Sequence, residues 1–121
     1  MNSRPGQLRV ADYVEHILGA CGRIQEYMQG LSKEVFLQDS RTQDAVIRNI
    51  LVVGEAAAQI LDNHPAFVLA QSAIPWNQMK GMRNRMVHGY FETNLELVWE
   101  TVRAFIPDLS RQLKSADCSG E

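Results

Sequence analysis

Arg83, Asn84, Arg85, His88 and Tyr90 fall within eight consecutive residues, RNRMVHGY. Side chains of these types suit phosphodiester chemistry without a metal. A histidine with a pKa near neutrality can take a proton from a ribose 2′-hydroxyl or give one to a leaving oxygen. A guanidinium can grip a phosphate in a fork and stabilise charge building on its oxygens. An asparagine four residues before a histidine can orient the ring or hold a phosphate oxygen. Acidic and cysteine ligands are missing from the cluster, which argues against a metal centre, and no cofactor is called for.

Such a stretch acts only if a helix holds it. At about 100° per residue, Asn84 and His88 stack on one face and Arg85 lies close by. Arg83 is five positions before His88, so the two point roughly 140° apart on an ideal helix. Arg83 must reach round, or meet a groove made with another helix or subunit. Gly89 frees the backbone, so Tyr90 need not follow the helical direction. Spacing alone leaves a second reading open: a histidine in a last helical turn opposes the helix dipole, and the arginines could be solvated surface.

Helical spacing dominates the rest of the chain, without strand alternation or internal repeats. Leu8, Val14, Ile17, Cys21, Ile24 and Met28 predict one long amphipathic helix ended by Gly30. Ser32 caps a short extra helix over KEVFLQ. Ser40 and Gln43 read as a capping box for a second long helix, which NHP should end. There Val46, Ile50, Val53, Ala57 and Ile60 form one apolar stripe, and Ile47, Leu51, Gly54 and Ala58 a second, as expected of a central helix. Asp44, Arg48, Glu55 and Gln59 line one side; a salt-bridged face within the helix and a functional one are both open. A third helix opens at Pro75 and runs through Met79, Met82 and Met86 to about His88. Thr93 and Glu96 read as a capping box for a fourth, carrying Leu95, Val98, Val102, Phe105 and Leu109 inward, with Pro107 kinking or dividing it. The expected fold is all-α: an antiparallel four-helix bundle with a short extra helix between the first and second long ones. One domain spans residues 1–114, and residues 115–121 form a frayed tail. The doubled stripe and the methionines suit either core filling or a dimer interface.

The 121 residues are 45% hydrophobic and carry a net charge of -2. That balance excludes a generally basic nucleic-acid coat, so any RNA attraction must be local. Cys21 and Cys118 have neither disulfide-framework nor metal spacing and read as reduced thiols. No segment reads as a signal peptide or a membrane span, which points to the cytoplasm.

The arrangement of Arg83, Asn84 and His88 resembles the HEPN-domain pattern: arginine, a polar residue, three residues, then histidine. Extended to Tyr90, it is R-x-x-x-x-H-x-Y and resembles the HepT-like toxin ribonucleases of the HepT/MNT toxin–antitoxin type. TQDAVIRNILVVGEAA, IPWNQMKGMRNRMVHGYF and LELVWETV look like successive blocks of that family, in family order, across most of residues 8–113. The resemblance implies a HEPN-like homodimer whose motifs meet across a cleft and cleave RNA without metal. Arg83 and His88 would be the catalytic pair and Asn84 a supporting polar group. RNA attraction would fall to Lys80, Arg83, Arg85, Arg48 and their dimer mates. It further implies a toxin of a type VII-like system, neutralised when a minimal nucleotidyltransferase antitoxin transfers AMP to Tyr90. The same resemblance also admits a non-catalytic docking subunit of such a nucleotidyltransferase.

Overall fold

The computed structural model describes residues 8–87 and 94–118. All regular structure among them is helical: α1 (Val10–Met28), α2 (Lys33–Leu37), α3 (Ser40–Asn63), α4 (Pro65–Ala70), α5 (Trp76–Val87), α6 (Leu95–Glu100), a π-helical segment (Thr101–Phe105) and α7 (Ile106–Lys114). The long helices form an antiparallel bundle. Its centre is α3, packed along α1 on one side and α5 on the other, while α7 closes against α1.

The order follows from the apolar pattern. In α1, Val10, Tyr13, Val14, Ile17, Ala20, Cys21, Ile24 and Met28 are buried at steps of three and four. Each buried Val, Ile or Met side chain favours folding by about 1.5–3 kcal/mol. In α3 both expected stripes carry buried positions, from Val46, Ile50, Val53, Ala57 and Ile60 to Gly54 and Ala58, as a helix flanked on two sides requires. A polar tie crosses from α1 to α3: Arg23 Nε donates to Asn49 Oδ1 at 2.8 Å, and Asn49 Nδ2 donates to the Ala45 carbonyl at 2.9 Å. Met79 and Met82 are buried in the core. Cys21 is free and buried, and burial pushes its thiol up to about 11. No helix among the described residues is long and apolar enough to cross a membrane.

The helix boundaries have local causes. Gly30 has a φ of +78°, the left-handed value that lets the chain leave α1. Ser32 Oγ accepts from the Val35 amide at 3.2 Å, so α2 starts where expected. It brings Phe36 into the core against the Trp99 ring, 5.7 Å between centroids. The start of α3 differs from expectation. Asp39 is the cap, accepting from the Thr42 amide at 3.1 Å and its hydroxyl at 2.6 Å. Ser40 is already helical, and Gln43 donates instead to the Phe36 carbonyl. The charged Asp39 acceptor sets the register one residue earlier than the serine would. Similarly Asn94 Oδ1 caps α6 through the Leu97 amide; Thr93 lies outside the described residues.

Pro65 does more than end α3. It sits in the first turn of α4, a helix without a buried residue and hence without a stripe to read. Pro107 divides the last helix as expected: it lacks an N–H and crowds the carbonyl four residues back. The chain widens into the π-helical segment just before it and resumes as α7. Beyond Lys114, Ala116 and Cys118 are half-buried against the core.

Candidate active site

The central helix presents a gap to α5 at Gly54. A Cβ there would lie 2.3 Å from the Arg83 Cβ, 2.8 Å from the Met79 carbonyl oxygen and 3.0 Å from the Arg83 amide nitrogen. Only a glycine lets the α5 backbone come this close, and the residue seated in the gap is Arg83. Its side chain is 26% exposed, yet its Nε is buried and makes no hydrogen bond among the described residues. Glu55, the residue after the gap, sets its Oε1 3.6 Å from that nitrogen, an ion pair rather than a hydrogen bond. The sequence left open a pairing of Glu55 with Arg48 along α3; the observed cationic partner comes from α5.

Beside this pair runs a groove of about 590 Å³ between α1, α3 and α5. Tyr13 and His16 enter it from α1, Arg48, Glu55 and Gln59 from α3, and Arg83 from α5. Leu51, Val52 and Ala56 add apolar wall. Arg48 and His16 are exposed at its rim. Of the residues proposed from sequence, the groove thus unites Arg83 and Arg48. Lys80 is half-buried and Asn84 and Arg85 are exposed on α5, outside the groove wall. His88 and Tyr90 lie outside the described residues. A separate cavity of about 380 Å³, lined by His64, Phe67, Asp117 and Cys118 among others, has no Lys or Arg among the described residues of its wall.

Sequence reasoning missed His16 and the role of Gly54. No motif flags His16, which reaches the groove only because α1 lies along α3. Gly54 carried a signal: a glycine within a helix costs about 1 kcal/mol relative to alanine, so one in VVGEAAA points to a close backbone approach.

Chemically, the groove offers guanidinium groups from two helices over a partly apolar wall. That suits a phosphate flanked by a base or sugar. Among the described residues, no three His, Cys, Asp or Glu side chains group to hold a metal ion.

The family profile described as "Ribonuclease HepT-like" matches residues 17–116, a span that holds Gly54, Glu55, Arg83 and the whole RNRMVHGY stretch. The chain belongs to the HepT-like ribonuclease family. Within it, the chain is 38% identical over 98 residues to a protein of Thermococcus cleftensis named "Probable ribonuclease HepT", covering 81% of this chain and 86% of that one. It is 35% identical over 102 residues to a protein of Caldanaerobacter subterraneus subsp. tengcongensis named as a putative RNase, covering 84% and 88%. No solved structure is significantly similar to the chain. Of the groove residues, Tyr13 and His16 fall before the HepT-like match, and Arg48, Glu55, Gln59 and Arg83 fall inside it.

Proposed function

We propose that this chain is the toxin of a type VII-like toxin–antitoxin pair, a cytoplasmic endoribonuclease that cleaves RNA without metal. The observation that carries the reading is the seating of Arg83, first residue of the R-x-x-x-x-H-x-Y motif, against Gly54 at the edge of a groove that also holds Arg48. The ribose 2′-oxygen attacks the adjacent phosphorus as the bond to the next nucleotide's 5′-oxygen breaks. His88 assists the proton transfers, removing one from the 2′-hydroxyl or supplying one to the 5′-oxygen. Arg83 stabilises charge on the non-bridging phosphate oxygens. One product ends in a 2′,3′-cyclic phosphate and the other starts with a 5′-hydroxyl. Asn84, Arg85, Lys80 and Arg48 hold the flanking RNA backbone.

Two copies form the working unit, each motif facing a shared cleft. Support comes from the opposed directions of Arg83 and His88 on an ideal helix, and from half-buried Leu51 and Val52 beside Arg83. A minimal nucleotidyltransferase encoded nearby serves as antitoxin, transferring AMP to Tyr90. The added phosphate pairs with the arginines and occupies the place of the RNA backbone.

Inducible expression of wild type and His88→Ala, without any partner, tests this reading. Wild type should arrest growth and fragment RNA, while His88→Ala should do neither. Growth arrest that survives His88→Ala, with RNA intact, would favour a non-catalytic docking subunit.

A further inference from the structure

A row of side chains along α3 ends on Arg83. Asn63 Nδ2 donates to Gln59 Oε1 at 3.1 Å, and Gln59 Nε2 donates to Glu55 Oε2 at 3.5 Å. The other carboxylate oxygen, Glu55 Oε1, faces Arg83 Nε at 3.6 Å. These residues stand four apart on one helix face, where neighbours of this kind meet. Both oxygens of Glu55 are therefore engaged, one along α3 and one across to α5.

We infer that Glu55 is a positioning residue for Arg83, fixing the guanidinium by its Nε edge so that the terminal nitrogens stay available to a phosphate in the groove. The inference rests on the ribonuclease reading above. Three observations carry it. Arg83 Nε is buried with no hydrogen-bond partner among the described residues, and the Glu55 carboxylate is the charge that faces it there. The side chain nevertheless keeps 26% exposure, which must come from its other atoms. At the root of the side chain, Gly54 holds the Arg83 Cβ against the α3 backbone. Cβ and Nε are thus both constrained, and a flexible arginine is reduced to a directed fork.

The pair adds little to stability, because both partners keep solvent contact and such ion pairs are weak. Its effect lies in geometry, since misplacing a catalytic group by about 1 Å can cost on the order of 10²-fold in rate. A carboxylate in a groove for a polyanion also repels the substrate, so its presence there requires some other benefit. Removing it should therefore slow turnover without weakening RNA binding.

The experiment uses the purified full chain and a fluorescent RNA oligonucleotide, with Glu55→Gln and Glu55→Ala each made in the wild-type and Arg83→Ala backgrounds. Glu55→Ala should lower kcat roughly 10- to 100-fold with KM unchanged or lower, and Glu55→Gln should lose less, because it keeps an oxygen facing Nε. In the Arg83→Ala background neither substitution should matter further. The same fold-loss in both backgrounds, or a wild-type kcat, would overturn the inference. So would loss of one limb of the pH–rate profile in Glu55→Gln, which would make Glu55 itself a proton-transfer group. The Arg83 Nε–H resonance reports on the pair independently of turnover: it should exchange more slowly with solvent in wild type than in Glu55→Ala, and equal exchange in the two would refute the tie. If wild type cut no RNA, the ribonuclease reading would fail, while this resonance would still decide whether Glu55 orders Arg83.

Discussion

Arg83 sits so close to Gly54 that a single methyl group on α3 would fall 2.3 Å from its Cβ. The contact joins the central helix of the bundle to the first residue of the proposed catalytic motif. Packing and chemistry therefore meet at one glycine.

Gly54→Ala should damage both. The new Cβ meets the Met79 carbonyl and the Arg83 amide, backbone atoms that cannot swing away. Overpacking of this kind costs about 1–3 kcal/mol. Urea unfolding should show that loss, and RNA cleavage should fall further than stability alone explains. Gly22 is the control: a Cβ there meets nothing within 4 Å. Gly22→Ala should leave activity intact and be neutral or stabilising, since alanine favours a helix over glycine by about 1 kcal/mol.

Asp39 and Ser40 separate the observed cap from the one expected. Asp39→Ala should lower the urea midpoint, and Ser40→Ala should barely move it. The Thr42 hydroxyl and amide hold the Asp39 carboxyl below the usual carboxylate range. A depressed folded-state pKa contributes stability that is present above the unfolded value, near 3.9, and lost as pH falls through the folded value. The gap between wild type and Asp39→Ala should therefore be full at pH 6 and shrink below about pH 4. A gap that does not change with pH would assign the cap's effect to something other than its charge.

Arg48 stands at the rim of the groove, away from the proposed reacting atoms. Arg48→Ala should weaken RNA binding about equally across sequences and reduce the slope of log K against log salt by about 1. Titrations of a catalytically silenced protein at several salt concentrations measure this. An unchanged slope would place the RNA elsewhere.

Tyr90 is the proposed acceptor of AMP. Co-expression with the proposed antitoxin, a minimal nucleotidyltransferase, should add one or more adenylyl units to wild type, seen by intact mass, and end RNA cleavage. Tyr90→Phe should gain none and stay toxic beside its partner. Equal neutralisation of Tyr90→Phe would mean that the antitoxin acts by binding alone.

Much of the fold was legible because it is written at short range. The stripes of α1 and α3, the Gly30 stop, the Ser32 cap and the division at Pro107 each depend on residues within a few positions. The cap of α3 was misplaced because two adjacent residues, Asp39 and Ser40, are both good caps. The stronger, charged acceptor won. Helix α4 escaped because no side chain in it is buried, so no periodic signal exists. The site was legible only in part. Arg83 and Arg48 could be nominated by type, and both reached one groove. The pairing of Glu55 with Arg83, and the arrival of His16, depend on how α5 and α1 dock on α3. Helical periodicity carries no record of such contacts between distant residues.

The central claim is that Arg83 and His88 drive cleavage by the RNA's own 2′-hydroxyl. Mass analysis of the ends left by the purified protein in the presence of EDTA tests it most directly. The account predicts 2′,3′-cyclic phosphate and 5′-hydroxyl ends, no cut where the scissile nucleotide lacks its 2′-hydroxyl, and about 10²–10⁴-fold slower cleavage by His88→Ala. Fragments with 3′-hydroxyl and 5′-phosphate ends, or undiminished cleavage by His88→Ala, would contradict it.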